Sequence, residues 1–469
     1  MASIALFDTV RLLILANSLY KLNLHAVAPL AQMPPPQAGD RIVIFAPHED
    51  DETLGCAGYI QQAVAAGAQV HVVLMTNGEY PEIDIVLFEE ALPLHPQQFV
   101  KLGYMRQRET LAALKYLGVT DAATFLGYPN QYLDQMWLPA HWLPANPVRS
   151  IRTRSTRSPY DNGLTRRALY CGQSVLRDVE TVLRRDKPNI VITLHPNDVH
   201  VDHWPTYCFV RFALEELASQ GAAFAPYCRV YSYLIHRDGW PSPRGYWPAL
   251  NLEPPVSLEL NGDTQWVVLP LTVAQTIDKQ KALRLYRTQG GSFDRLLRSF
   301  ARANELFGVL PPRPWPAISS VPPSVVIHDA SADLGLSALF PRGDIRDVRL
   351  ARNQGRLQVA IETRGVPSPG ISYHVAIHAG GVTAGDRIFV QYDWIGTRAS
   401  GVLLTDSQLR HIPAGAFHVT VAGKSTMLSA PWPLNDTTTR FFFIRAWSMR
   451  RFETIDETTT NLLQILRPL

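Results

Sequence analysis

Arg41-Ile-Val-Ile-Phe-Ala-Pro-His-Glu-Asp-Asp-Glu52 and, far along the chain, Asn189-Ile-Val-Ile-Thr-Leu-His-Pro-Asn-Asp-Val-His-Val-Asp-His203 share one design. Each is a short apolar run followed at once by imidazoles and carboxylates. Such runs, bounded by polar turns, read as strands buried on both faces. Parallel strands of this kind carry ligand sites in the crevice beyond their carboxyl ends. The two clusters are therefore expected to meet at the carboxyl edge of an open α/β sheet.

Around these strands the chain alternates. Residues 54–66 read as a helix whose small Gly55, Ala57 and Gly58 allow close packing on the sheet. Residues 69–76 read as a strand closing on Asn77-Gly78, 106–117 as a helix ending at Gly118, 123–126 as a short strand, and 172–185 as an amphipathic helix. This rhythm predicts a doubly wound, mostly parallel, Rossmann-like sheet. Residues 129–159, rich in Pro, Trp and Arg, break it and are assigned to the substrate side, since long irregular excursions in α/β domains are commonly binding loops. The arginine-rich stretch 149–167 reads as solvated surface, with a cleft lining as the alternative.

Composition shifts at Pro311-Pro-Arg-Pro-Trp-Pro316 and again at Val321-Pro322-Pro323. Beyond it, strand-like segments at 348–350, 357–362, 373–378, 387–392, 417–421 and 440–445 follow one another without helices, which predicts an all-β sandwich. The expected organisation is an N-terminal amphipathic helix and linker (1–39), an α/β domain (40–316) and a β-sandwich accessory domain (322–469).

With 44 Lys and Arg against 41 Asp and Glu, the net charge of +3 gives no field that points to nucleic acid or an anionic membrane. Cys56, Cys171, Cys208 and Cys228 show no zinc-ligand spacing and read as free thiols, so the chain is expected in the cytoplasm. Residues 4–24 are apolar, but Asp8, Arg11 and Lys21 interrupt them; this fits neither a membrane-spanning helix nor a signal peptide. Peripheral membrane attachment through this segment is the alternative to simple packing on the domain.

His48 and Asp51, three apart on the turn leaving a strand, can aim at a common point. With His203 they make the imidazole, carboxylate and imidazole set of a catalytic zinc site. Asp50, beside this set, is placed to take a proton from water. His200 can stabilise an oxyanion and then protonate a leaving nitrogen, with Asp202 holding it charged and oriented. Read alone, Asp50 to Glu52 also fit an ordinary helix N-terminus, with carboxylates balancing the dipole. Two such clusters, each after an apolar strand, weigh against that plainer reading.

The residues that follow carry a resemblance. Pro47-His48-Glu49-Asp50-Asp51-Glu52 and His195-Pro196-Asn197-Asp198-Val199-His200-Val201-Asp202-His203 resemble the signatures of the PIG-L/LmbE-like family of zinc-dependent N-acetylglucosaminyl de-N-acetylases. Arg106-x-x-Glu109, Phe125-Leu-Gly-Tyr128, Lys281-Ala-Leu283 and Tyr286-Arg-Thr-Gln289 fit the same family. The resemblance covers residues 41–307 or so. It implies Zn2+ on His48, Asp51 and His203, Asp50 as base, and His200 with Asp202 at the oxyanion. The implied activity is hydrolysis of the N-acetyl group of an N-acetylglucosamine-type sugar, free or conjugated, lipid-linked conjugates included, by metal-activated water.

Arg106, Asn130 and Tyr160 are the expected substrate contacts. Two positions depart from the family pattern: Glu49 stands where the family has proline, and Asn130 where many members have aspartate. Glu49 is expected to bring a further carboxylate beside the metal. The residues after 322 resemble sugar-binding sandwich modules; Tyr392 and Trp394 are expected to be ordinary sandwich aromatics, with stacking on a sugar as the alternative. Two other functions remain to be distinguished: a sugar-conjugate amidase using the same site, and a non-catalytic carbohydrate-binding protein.

Overall fold

The computed structural model describes residues 29–80, 95–315 and 323–464, apart from 121, 238, 291–293, 330–339, 354, 406–407, 433–438, 452 and 459. Residues 1–28 and 316–322, which carry the expected N-terminal helix and the end of the interdomain linker, lie outside it. One sheet is built from β1 (Ala31–Gln32), β2 (Arg41–Ala46), β3 (Gln69–Thr76), β4 (Ala123–Tyr128), β5 (Ile190–Leu194), β6 (Arg229–Tyr233), β7 (Gln265–Pro270) and β8 (Asn304–Val309). Its spatial order is β1-β7-β8-β6-β5-β2-β3-β4. The run β4-β3-β2-β5-β6 is parallel, while β8 lies antiparallel to β6 and β7. Winding proceeds outward from β2 to β4 and starts again at β5. The reversal falls between β2 and β5, the point where such sheets open a crevice.

β2 shows why these strands are apolar throughout. Ile42, Ile44 and Ala46 enter one core and Val43 and Phe45 the other, on the opposite face. α1 (Asp51–Ala66) and the end of α2 (Pro96–Tyr116) cover the first face. The short α3 (Leu133–Trp137), α4 (Gly172–Asp186) and α5 (His203–Ser219) cover the second. α4 buries Val175, Leu176, Val179, Val182 and Leu183, the spacing of a single helical face. Gly55 is needed where α1 meets β6, because a Cβ there would lie 2.2 Å from the Tyr233 ring. α2 starts earlier than residue 106: Pro96 opens it, and His95 and Gln98 form a capping box.

The remaining strands are β9 (Arg313–Pro314), β10 (Ser324–His328), β11 (Ile345–Asn353), β12 (Arg356–Thr363), β13 (Ile371–Gly381), β14 (Ile388–Ile395), β15 (Arg398–Thr405), β16 (Gln408–His411), β17 (His418–Ala422), β18 (Ser425–Pro431), β19 (Thr439–Arg450), β20 (Glu453–Glu457) and β21 (Asn461–Gln464). One sheet has the order β10-β11-β12-β18-β17; the other runs β16-β15-β14-β13-β19-β21-β9, with β20 paired to β19. Val359 and Leu428 of the first share an apolar cluster with Val375, Tyr392, Trp394 and Ile444 of the second. Tyr392 and Trp394 are 0% and 2% exposed, so stacking on a sugar is ruled out for them. Their polar atoms are used internally, on Pro431 O at 2.8 Å and Thr426 Oγ1 at 3.0 Å.

The β-rich region packs directly on the α/β part. Trp137, Trp142, Phe209 and Phe212 form one cluster with Phe389, Phe441 and Phe443. No helix among the described residues is long and apolar enough to cross a membrane. Cys56, Cys171, Cys208 and Cys228 are unpaired.

Candidate metal centre

The carboxyl ends of β2 and β5 bring His48, Asp51 and His203 together. His48 Nδ1 lies 3.2 Å from Asp51 Oδ2 and 3.2 Å from His203 Nε2, and the third side, His203 Nε2 to Asp51 Oδ2, is 3.3 Å. The corners of a tetrahedron with bonds of about 2.0–2.1 Å lie about 3.3–3.4 Å apart, so three donors at this spacing fit an ion of zinc's size.

The far nitrogen of each imidazole faces a buried carboxylate. His48 Nε2 is 3.0 Å from Asp202 Oδ2, and His203 Nδ1 is 3.0 Å from Asp198 Oδ2. A carboxylate there holds the ring proton on the far side and leaves the near lone pair for a cation. Burial lowers the pKa of His48, but Asp202 and Asp51 outweigh it and raise it to about 10, so positive charge is favoured at this point. Burial alone would raise Asp51, Asp198 and Asp202. For the first two, His203 leads the groups that outweigh it; for Asp202 it is His48, and all three carboxyls stay below their usual range.

This geometry corrects one expectation. Asp202 does not hold His200 through its carboxylate. Its Oδ2 takes His48 and the Gln131 N–H (2.5 Å), and its Oδ1 takes the Leu133 N–H (2.9 Å). What reaches His200 is the backbone N–H of Asp202, which donates to Nδ1 at 3.1 Å. Burial, with His203 and His48 nearby, pushes His200 down to about 2. It is a neutral imidazole rather than a charged one, and with Nδ1 accepting, its proton sits on Nε2.

Asp50 ends the turn from β2 into α1 at φ 114°, a left-handed conformation that ordinary residues avoid and that recurs at functional sites. Its backbone oxygen accepts the Thr53 and Leu54 N–H groups at 2.9 and 2.8 Å, which starts the helix. Burial, then Asp51 and Glu52, raise its carboxyl well above the usual range. The turn is clamped from the motif near residue 286: Tyr286 OH donates to Glu52 and the Gln289 side chain to Glu49 O, while Thr288 Oγ1 ties the motif to α2 through Glu109 Oε2 at 2.6 Å.

Glu49 does not sit among the three donors. It is fully buried and turned toward Gly78 and Arg106; a Cβ on Gly78 would lie 2.3 Å from Glu49 Oε2 and 2.8 Å from Arg106 Nη1. Burial pushes Glu49 up to about 8, with Arg106 acting against it. Arg106 donates to Gly78 O. Tyr160 and Asn130 are also buried, with Glu79, Tyr170 and Glu49 as electrostatic neighbours of Tyr160. Among the described residues, Glu49 Oε1 and Oε2, Glu79 Oε1 and Oε2, Asn130 Oδ1 and the Tyr160 hydroxyl are buried without a hydrogen-bond partner. In the stretch 149–167, five of the arginines (149, 154, 157, 166 and 167) are exposed. Arg152 is the exception, with its guanidinium 4.2 Å from the centre of the Tyr80 ring.

Three residues at the site had no role assigned from the sequence. Asp198 was visible inside the second motif; besides His203 it binds the Ile235 and His236 N–H groups, both at 2.9 Å. His236 groups with Asp51 and His203 as potential ligand atoms within 4.8 Å. It is a lone histidine after β6, and only the sheet order brings it here. Glu79 follows the Asn77-Gly78 turn that ends β3. His195, by contrast, is structural: it stacks on Trp266 at 5.0 Å and pairs with Thr264 Oγ1 at 3.0 Å.

Residues 43–214 match the family model described as PIG-L, GlcNAc-PI de-N-acetylase. The chain is 30% identical over 213 residues to a 1D-myo-inositol 2-acetamido-2-deoxy-alpha-D-glucopyranoside deacetylase of Kribbella flavida, covering 45% of this chain and 62% of that one. It is 28% identical over 209 residues to the Rhodococcus erythropolis protein of the same name, covering 44% and 60%. The chain thus spans less than two thirds of the length of these relatives. Among solved structures, N,N'-diacetylchitobiose deacetylase from Pyrococcus horikoshii aligns with a TM-score of 0.34 and 19% identity, over 57% of this chain and 83% of that one. Through residues 43–214, with both clusters inside that span, the chain is similar to the PIG-L family.

Proposed function

We propose that this chain is a metal-dependent hydrolase that removes the N-acetyl group from an N-acetylglucosamine-type sugar conjugate. The observation that carries the reading is the triangle of His48, Asp51 and His203 donor atoms at 3.2, 3.2 and 3.3 Å, with a carboxylate behind each imidazole. These residues would hold a divalent cation, and two imidazoles with one carboxylate suit Zn2+. Such an ion supplies Lewis acidity to the amide carbonyl and makes water a better nucleophile.

The chain's own groups do the rest. Asp50, ionised, takes the proton of the attacking water, and its raised pKa suits it to give that proton on to the leaving nitrogen. His200 Nε2–H donates to the carbonyl oxygen as charge develops there. The C–N bond breaks, leaving acetate and a free amine. Asp198 and Asp202 keep the ligand imidazoles in one tautomer and orientation.

The buried polar atoms of Glu49, Glu79, Asn130 and Tyr160 favour a hydroxyl-rich ligand, because unpaired polar groups are costly to bury and a sugar would satisfy them. Asn130 and Tyr160 are assigned to substrate contact on this ground, and Arg106 as the charged neighbour of Glu49. The named relatives act on an acetamido sugar carried on inositol, which supports the same class. The residue span 40–316 is read as the deacetylase domain and 322–469 as a β-sandwich. The four unpaired cysteines agree with a cytoplasmic setting.

The test is a panel of N-acetylated sugars and their conjugates incubated with the metal-loaded full chain, with released acetate scored against other acids. Acetate release from glucosamine derivatives is expected. Release of a longer acid with the acetyl group left intact would instead make the chain a sugar-conjugate amidase.

A further inference from the structure

Two routes run from the β-rich region to the site's histidines. One enters through β19, where the Arg445 guanidinium lies 3.8 Å from the centre of the Trp204 ring and pairs with Glu457 of β20. Trp204 directly follows His203 in the first turn of α5 and is buried. A shift of its ring therefore moves the backbone that carries a ligand. The other route enters through β13. His378 is buried and kept neutral, since burial pushes it down to about 3. Its Nε2–H donates to Trp137 O at 2.7 Å, and its ring packs 4.3 Å from that of Trp137. Trp137 closes α3, and the opening of α3 presents the Leu133 N–H to Asp202, which holds His48.

We propose that the β-rich region is a working part of the metal centre: Arg445 and His378 are positioning residues that brace α5 and α3 behind the ligands His203 and His48. The proposal rests on reading those histidines as metal ligands. A sugar-binding appendage would not need these contacts. The boundary also supplies its own control. Arg387 pairs with both oxygens of Glu216, at 2.7 and 2.5 Å, between the same two regions. Glu216 lies near the end of α5, about 20 Å along the helix from His203. Loss of that pair should loosen the boundary without touching the ligands.

The experiment measures the Zn2+ dissociation constant of the full chain by competition with a chromophoric chelator, alongside kcat, KM and thermal melting. Arg445→Met and Trp204→Leu are expected to weaken Zn2+ binding about 10- to 100-fold and to lower kcat with KM nearly unchanged. Arg445→Lys should recover most of this, and His378→Phe should show a smaller loss. Arg387→Met should melt earlier with its zinc affinity intact. Trp204→Leu keeps Arg445 on Glu457 and carries the test if Arg445→Met fails to fold. Zinc affinity within twofold of the parent in a folded Arg445→Met or Trp204→Leu chain overturns the proposal, as does an equal loss in Arg387→Met. Zinc binding is read without substrate: Arg445-dependent binding with no acetate released would sink the deacetylase reading and leave this one standing. Acetate release indifferent to Arg445 would do the reverse.

Discussion

The turn after β2 and the turn after β5 are both acidic, buried and rich in imidazole contacts, yet they hold their carboxylates in opposite states. In the second turn, Asp198 and Asp202 each face an imidazole and receive backbone N–H groups, and their pKa values stay low despite burial. In the first turn, Glu49 and Asp50 are equally buried, and both are pushed up. Asp51, facing both His48 and His203, behaves like the second turn. Under the proposed function, the partnered carboxylates orient the imidazoles and Asp50, raised beside the donors, exchanges a proton. Environments that drive neighbouring carboxyls apart in pKa assign their roles.

The largest test of this division is to remove a donor. His203→Ala should lose the metal and drop acetate release by more than about a thousandfold, as metal analysis and a steady-state assay would show. Full metal occupancy in that variant would mean that His236 or His200, which also lie within 4.8 Å of other donors, can stand in. Next comes His200→Gln, expected to cost about 10²–10³ in kcat with metal content unchanged, the usual loss for one oxyanion donor. A loss of metal instead would move His200 into the ligand set.

Asp198→Asn removes an orienting carboxylate and should weaken metal binding or activity about 10- to 100-fold. Its folded pKa is depressed, so the stability it contributes is present above the unfolded carboxyl pKa and is lost as pH falls through the lower folded value. The variant's melting deficit should therefore shrink in acid, and a deficit that does not change with pH would deny the ion pair.

The smallest effect concerns a carboxylate away from the candidate metal centre. Glu180 is pushed up to about 8, by burial first and then by Glu216. A raised carboxyl binds its proton in the folded state, so its contribution falls as pH climbs from about 4.5 to about 8. Glu180→Gln should melt higher than the parent at the top of that window and gain less at the bottom. Equal gains at both ends would contradict the shift.

Much of this was legible because chemistry and period coincide in the sequence. An apolar run ending in His and Asp announces both a buried strand and what lies at its carboxyl end, and two such runs locate the crevice before any sheet order is known. The motif near residue 286 was visible too, although its task of clamping Glu52 and Glu49 was not. What stayed hidden depends on direction rather than residue type. Asp202 sits beside His200 in the chain, which suggests that pairing, but α5 turns its carboxylate toward His48, 154 positions away. Glu49 was expected beside the metal, yet the strained turn at Asp50 sends it toward Arg106. His236 is isolated in sequence and becomes a neighbour only because β6 lies next to β5. The aromatic residues of the β-rich region gave no sign of which would face the α/β part, since alternation along a strand does not say what covers each face.

Asp50 carries the proposed chemistry through its position beside the three donors and its raised pKa. The direct measurement is acetate release from an N-acetylglucosaminyl conjugate by Asp50→Asn beside the parent chain, with metal content determined on the same samples. The base role of Asp50 predicts equal metal content and a fall in turnover of about 10²–10⁴, the range supplied by a positioned general base. Turnover equal to the parent's at full metal occupancy would contradict it.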